Sequence, residues 1–198
     1  MYHIRDYRPE DESRWLRCRV LGFLDSAYYD DVHIEKDAYD NPAIELVAEE
    51  SGEVIGLIDV EIDTPESKVC SEGSRPAGMI YNIAVHPDHR RRGVARALLE
   101  EARRRAEALG VRRFEAWTRD DGRAPAWYEA MGFTGRDTYV QAYLDPEALG
   151  DSLKMYVQGF RPLLIYGHYV GDDAGRIEGF SKRAHDCLRF DLDFEEEK

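Results

Sequence analysis

The stretch Ile83-Ala84-Val85-His86-Pro87-Asp88-His89-Arg90-Arg91-Arg92-Gly93-Val94-Ala95 decides the fold of this chain. It predicts a buried strand, a proline turn, an arginine-led loop and the first turn of a helix. Met79 to Val85 is largely apolar and carries β-branched Ile80, Ile83 and Val85, which suits a strand covered on both faces. Pro87 has no N–H to give to a ladder and stops the strand. Downstream, Val94, Leu98, Ala102, Ala106 and Leu109, with Leu99 beside them, form one apolar stripe of a helix, and Gly110 suits its end. The first N–H groups of a helix have no intrahelical partner and carry the positive end of its dipole, where phosphates bind readily. Gly93 lacks a Cβ, so a ligand can approach its backbone closely. Arg90, Arg91, Arg92 and Arg96 add charge-assisted donors. The stretch therefore predicts a seat for the diphosphate of an anionic, nucleotide-like cofactor.

A second segment, Asp121-Gly122-Arg123-Ala124-Pro125-Ala126-Trp127-Tyr128-Glu129-Ala130-Met131-Gly132-Phe133, predicts a loop, a short helix and a strand. Pro125 suits the first helical turn and Gly132 the stop. The rest of the chain gives a strand at Tyr2–Tyr7 and a helix at Asp11–Leu24 with Trp15, Leu16, Val20 and Phe23 as its apolar face. Asp25–Asn41 is acidic and aromatic, expected as a broken second helix and loop. Ile44–Glu49 and Val54–Ile62 form a hairpin. A polar loop fills Thr64–Gly78, and further strands are expected at Phe114–Thr118 and Thr138–Leu144. Beyond them, Pro162–Val170 predicts a strand, and Leu188, Phe190, Leu192 and Phe194 alternate as in a half-buried one. Glu195 to Lys198 is expected as a frayed tail.

Composition narrows the function classes. At 198 residues the chain is expected as one domain with a sizeable core. A net charge of −13 argues against nonspecific binding to nucleic acid or anionic membranes, and against Arg90–Arg92 with Arg103–Arg105 as nucleic-acid contacts. No apolar run approaches ~20 residues, so no membrane span is expected. Met1 to Asp6 contains no signal-peptide core. Cys18, Cys70 and Cys187 are odd in number and scattered, which suggests reduced thiols and a cytoplasmic setting. His86 and His89 straddle a proline turn without further ligands, so a turn role and no metal are expected.

The two motifs resemble those of the GNAT N-acetyltransferase superfamily, and the resemblance covers roughly the first three-quarters of the chain. Its signature Arg/Gln-x-x-Gly-x-Gly/Ala is matched by Arg90-x-x-Gly93-x-Ala95. Its Asn-x-x-Ala-x-x-x-Tyr-x-x-x-Gly-Phe segment is matched at Ala124, Tyr128, Gly132 and Phe133, with Asp121 in place of the asparagine. The resemblance implies an α/β (α+β) fold: a mixed, mostly antiparallel central sheet flanked by helices. The core is expected at 1–144, with a 145–198 extension packed on the same domain, adding strands beside the acceptor site or building a homodimer contact. It implies acetyl-CoA as cofactor. Ile83, Ala84 and Val85 pair with the pantetheine arm, and Arg90, Arg91, Arg92, Gly93, Val94, Ala95 and Arg96 cradle the pyrophosphate. Asp121 stands where a further cofactor contact is made.

Amine acetylation needs a neutral amine at the thioester carbonyl, a donor to the developing oxyanion and an acid for the thiolate. The resemblance gives the oxyanion donor to a backbone N–H near Val85 and the acid to Tyr128, since a phenol of ordinary pKa about 10 is protonated at neutral pH. The family often places a carboxylate base on the strand before the loop, but Tyr81 and Asn82 stand there. Asp59 and Glu61 share one face of the preceding strand by alternation. Glu61 is the chosen base, acting through water, with Glu115 and direct loss of the proton to solvent as rivals. Tyr28, Tyr29 and Asp31, in a cluster with Asp30 and His33, are expected to line the acceptor side together with Trp117. Carboxylates among tyrosines suit a cationic amine through ion pairing and cation–π contact. The expected function is acetyl-CoA-dependent N-acetylation of a primary amine on a small polar or cationic molecule. Two alternatives stay open: a protein lysine or N-terminal acetyltransferase, and a non-catalytic acyl-CoA-binding regulatory domain.

Overall fold

The computed structural model describes residues 1–71, 76–150, 154, 157–171 and 173–194. The tail expected at Glu195 to Lys198 lies outside them. The strands are β1 (His3–Asp6), β2 (Ala43–Glu50), β3 (Glu53–Ile62), β4 (Ala77–Val85), β5 (Arg113–Arg119), β6 (Thr134–Leu144), β7 (Ile165–Tyr169) and β8 (Ser181–Asp193). The helices are α1 (Glu12–Leu24), α2 (Val94–Ala108), α3 (Ala124–Ala130), α4 (Pro146–Leu149) and α5 (Gly175–Glu178). One sheet runs in the order β1-β2-β3-β4-β5-β8-β6-β7. β4 and β5 pair in parallel, and the other neighbours are antiparallel.

Apolar stripes explain the layers. Val94, Leu98, Leu99, Ala102 and Ala106 of α2 are buried in one cluster with Leu46, Ile58, Val60, Ile80 and Phe114 of the sheet. Each valine, leucine or isoleucine among them contributes about 1.5–3 kcal/mol when fully buried. Leu109, expected on that stripe, is 64% exposed because α2 has already ended. α2 lies close on β3 because of Gly56, where a Cβ would fall 2.6 Å from Val94 Cγ1 and 3.1 Å from Leu98 Cδ1. On the opposite face, Trp15 and Cys18 of α1 pack on Val47, Leu57 and Ala84. Among the described residues, no helix is long and apolar enough to cross a membrane.

Several elements depart from the sequence expectations: β6 starts at Thr134 rather than Thr138, and α4 and α5 are short helices outside those expectations. Residues 25–41 form turns and loop with no second helix. Their polar groups bond elsewhere: Ser26 Oγ donates to Phe23 O at 2.7 Å and accepts from Tyr28 N–H at 3.1 Å, which favours turns over helix. This segment is a strap laid over the sheet. The final strand, expected at Cys187–Phe194, runs from Ser181 to Asp193 and lies between β5 and β6. Phe190 and Leu192 join the α2 side of the core, as their alternation predicts.

The sheet opens at one place. Parallel pairing of β4 with β5 runs from Ala77–Arg113 to Ile80–Ala116 and stops. β4 stays with β3 as far as Val85–Gly56, and β5 stays with β8 as far as Arg119–Cys187. A register shift of β3 against β4 falls between Asp59 and Val60, opposite Tyr81, and such bulges bend and twist a strand.

Candidate active site

A cleft of about 670 Å³ occupies the gap where β4 and β5 part. Ile83, Ala84 and Val85 form one lip, and Trp117 and Thr118 the other. His86 N–H donates to Ile55 O at 3.0 Å, toward β3. Strand alternation then turns the backbone groups of Ile83 and Val85 the other way, into the gap.

The loop after β4 continues the wall. Arg91 (φ +58°) and Gly93 (φ +79°) are both left-handed and turn the chain into α2. For a non-glycine residue such as Arg91 that conformation costs about 1–3 kcal/mol, and such strain gathers at ligand sites. The first N–H groups of α2, from Val94 on, have no intrahelical acceptor, and Ala97 N–H is the first to find one, Gly93 O at 3.0 Å. Arg91, Gly93, Val94, Ala95 and Arg96 all line the cleft. Free main-chain donors, a helix dipole and two arginines suit a diphosphate.

The other two arginines are committed. Arg90 reaches the cleft, but its guanidinium donates to Gly22 O at 2.9 Å and to Asp25 Oδ2 at 3.1 Å, tying the loop to the end of α1. Arg92, expected in the cradle, turns away and grips Glu50 with two 2.8 Å bonds. That pair pulls the Glu50 carboxyl down to about 2. Asp121 lines the cleft, and its Oδ1 accepts from the N–H groups of Arg123 (3.0 Å) and Ala124 (2.9 Å), capping α3.

α3 carries Tyr128 against the cleft. Its ring stacks on Phe190 at 5.4 Å and meets Trp127 and Phe133 edge-on at 5.1 and 5.0 Å. Burial raises its phenol pKa well above the usual value, so it keeps its proton at neutral pH.

At the far end, Arg19 is a charge on the buried face of α1. Its Nε donates to Asn82 Oδ1 on β4 at 2.8 Å, and its other nitrogens to Asp31 O and Asp31 Oδ2, both at 2.8 Å. Asp31 Oδ1 meets His33 Nε2 at 3.1 Å. Sequence reasoning missed Arg19; the signal was a cation within the apolar stripe of α1, where an unpaired charge is not tolerated. Tyr28, Asp31 and Trp117 line the cleft. Tyr28 Oη accepts from Arg119 N–H at 3.0 Å, and burial pushes its pKa up to about 12. Tyr29 does not line it: the ring is half exposed, under the Arg183 guanidinium at 4.8 Å.

The expected bases lie elsewhere. Glu61 is buried outside the cleft and accepts Asn41 N–H at 3.0 Å. Asp59 meets Lys36 Nζ at 3.2 Å, Tyr39 Oη at 3.0 Å and Asn82 Nδ2 at 3.4 Å, and burial pushes its pKa up to about 6. Lys36 Nζ also pairs with Glu45 and lies about 5 Å from the ring centres of Tyr7, Trp15 and Tyr39. These carboxylates hold the strap down. Glu115 likewise accepts from Ser71 N–H, Ser71 Oγ and Trp117 Nε1 at 3.0, 2.8 and 2.9 Å, away from the cleft.

Residues 6–133 match the profile of the acetyltransferase (GNAT) family. An acetyltransferase of Sodalis glossinidius (strain morsitans) is 31% identical over 142 residues, which are 69% of this chain and 90% of that relative. The ribosomal-protein-S18-alanine N-acetyltransferase of Escherichia coli superposes over 100% of this chain and 97% of its own, with a TM-score of 0.60 at 14% identity. The PaiA N-acetyltransferase of Thermoplasma acidophilum, solved in complex with coenzyme A, covers 69% of this chain and 92% of its own, with a TM-score of 0.55 at 14% identity. At that identity the structural likeness speaks for the fold, a mixed sheet flanked by helices.

Proposed function

This chain belongs to the acetyltransferase (GNAT) family and is an N-acetyltransferase, and on that premise we propose that it uses acetyl-CoA to acetylate the primary amine of a small polar or cationic molecule by direct transfer. One observation carries the proposal. The unpaired edge of β4, the free N–H groups of α2 and the Tyr128 ring meet in a single cleft.

Acetyl-CoA bound there supplies an acetyl group already activated as a thioester. The α2 N–H groups with Arg91 and Arg96 bind the diphosphate. Ile83 and Val85 offer main-chain donors and acceptors to the extended arm. The Val85 N–H faces the gap and gives a donor to negative charge developing on an oxygen there. Tyr128 holds its proton on Oη for a leaving thiolate. Asp31, fixed by Arg19, attracts the ammonium form of the acceptor into the cleft. Glu61, Asp59 and Glu115 do not line the cleft and the Asp31 oxygens are held by Arg19 and His33, so the amine proton is assigned to solvent. The three cysteines, free and buried, favour a cytoplasmic setting.

A thermal-shift titration with acetyl-CoA tests the proposal. Wild type should gain stability by RT ln(1 + [L]/Kd), about 2.7 kcal/mol at a hundredfold excess over Kd. Gly93→Glu places a carboxylate in the cradle and a side chain at φ +79°, and should abolish the shift. A folded wild type that shows no shift overturns the assignment of this cofactor to the cleft.

A further inference from the structure

We propose that the acceptor is a primary amine carried on a flat aromatic body, received between Tyr81 and Trp117. The inference rests on the reading of the cleft as an acetyl-transfer site and narrows its substrate class.

Ile80–Ala116 is the last pair that joins β4 to β5. The next residue on each strand, Tyr81 and Trp117, therefore stands at the fork, and both line the cleft. Each ring is fixed from behind. Tyr81 lies against Tyr39 with ring centres 5.5 Å apart. Trp117 lies against Tyr139 at 5.1 Å, and its Nε1 donates to Glu115 Oε1 at 2.9 Å. Cys187 on β8, paired with both Arg119 and Tyr139, is a small residue beneath that contact. Tyr139 in turn meets His168 of β7 at 4.5 Å, so the aromatic surface reaches the segment beyond residue 144.

Tyr81 is 49% exposed in a strand whose other residues are mostly buried. A held ring with one open face is a stacking surface, and stacked aromatic pairs add to affinity beyond the area they bury. The charges at this end set the rest of the class. The cation there is Arg19, whose donors go to Asn82 and Asp31. Among the described residues lining that end, no second cation stands ready to pair with a carboxylate or phosphate on the acceptor. Asp31 is paired with Arg19, as Asp25 is with Arg90 and Asp121 with the start of α3, but its side chain stays 38% exposed and leaves a carboxylate edge for an ammonium. The arrangement selects an aromatic amine without an acidic group.

The test compares initial rates with acetyl-CoA for 2-phenylethylamine, free phenylalanine and putrescine. Wild type should take 2-phenylethylamine with the lowest KM. Phenylalanine, the same ring with a carboxylate, should be poor. Tyr81→Ala should raise KM for 2-phenylethylamine roughly fivefold, leave its kcat within about twofold, and leave KM for putrescine unchanged. Tyr81→Phe should restore the wild-type KM, which a general loss of structure would not allow. Preference for putrescine or phenylalanine overturns the inference, as does an equal effect of Tyr81→Ala on all acceptors. An acetyl-CoA thermal shift with no acetylation of the aromatic amine sinks the inference alone, and absence of that shift sinks the cofactor reading with it.

Discussion

At its loop end the cleft is walled mainly by two pieces of one stretch, Ile83–Val85 and His89–Arg96 without Arg92, that offer mainly main-chain groups. At its other end stand Arg19, Tyr28, Asp31, Tyr81 and Trp117, drawn from α1, the strap, β4 and β5. The first end depends on backbone shape: a strand edge left bare, two left-handed residues and a helix start. The second depends on side chains held by partners far away in the chain. A site of the first kind tolerates changes of side chain but not of conformation, and a site of the second kind does the reverse.

Tyr128 is the proposed proton donor in the cleft, so its loss should give the largest effect. Tyr128→Phe is expected to lower kcat about 100-fold, as removal of a general acid does. The ring and its stacking on Phe190 remain, so the acetyl-CoA thermal shift should stay intact. A kcat close to wild type would take the proton from another group and weaken the division between a binding end and a reacting end.

The buried pair beneath the strap should give the next effect. The Asp59 carboxyl, ordinarily near 3.8, is pushed up to about 6. Between those values the folded protein holds a proton that the unfolded chain has released. The stability this group contributes is therefore complete below about pH 4 and is lost as pH rises through about 6. Relative to Asp59→Asn, wild type should lose about 2 kcal/mol between pH 4 and pH 7, read from urea midpoints. A pH-independent difference would show that Lys36 and Tyr39 do not hold Asp59 in a desolvated site. The smallest contrast lies within the arginine run. Arg96→Ala should weaken acetyl-CoA binding roughly fivefold, and Arg92→Ala, whose guanidinium serves Glu50, by less than about twofold. Equal losses would mean that charge, rather than the main chain, organises the loop end.

The same division decided what could be read in advance. The strand, the glycine and the helix stripe around Arg90–Ala95 are local patterns, and the structure places them together. Alternation put Asp59 and Glu61 on one face, and both do bond to the strap, at Tyr39 and Asn41. Alternation says nothing of what covers a face, and a carboxylate under a strap looks in sequence like a carboxylate in a site. Arg19 reaches Asn82 across 63 residues, a pairing with no local signature. β8 shows the same limit: its apolar rhythm announced a half-buried strand, but rhythm does not name the neighbours.

The position of β8 has a consequence for how the chain is made. Residues 181–193 leave the ribosome after both strands they must separate, and they enter the middle of the sheet rather than its rim. Until then Arg113–Arg119 and Thr134–Leu144 each present a bare edge, open to pairing with another chain. Contacts of such long separation close late and slowly. The interval between synthesis of β6 and arrival of β8 is thus the stage at which the nascent protein is most exposed to aggregation.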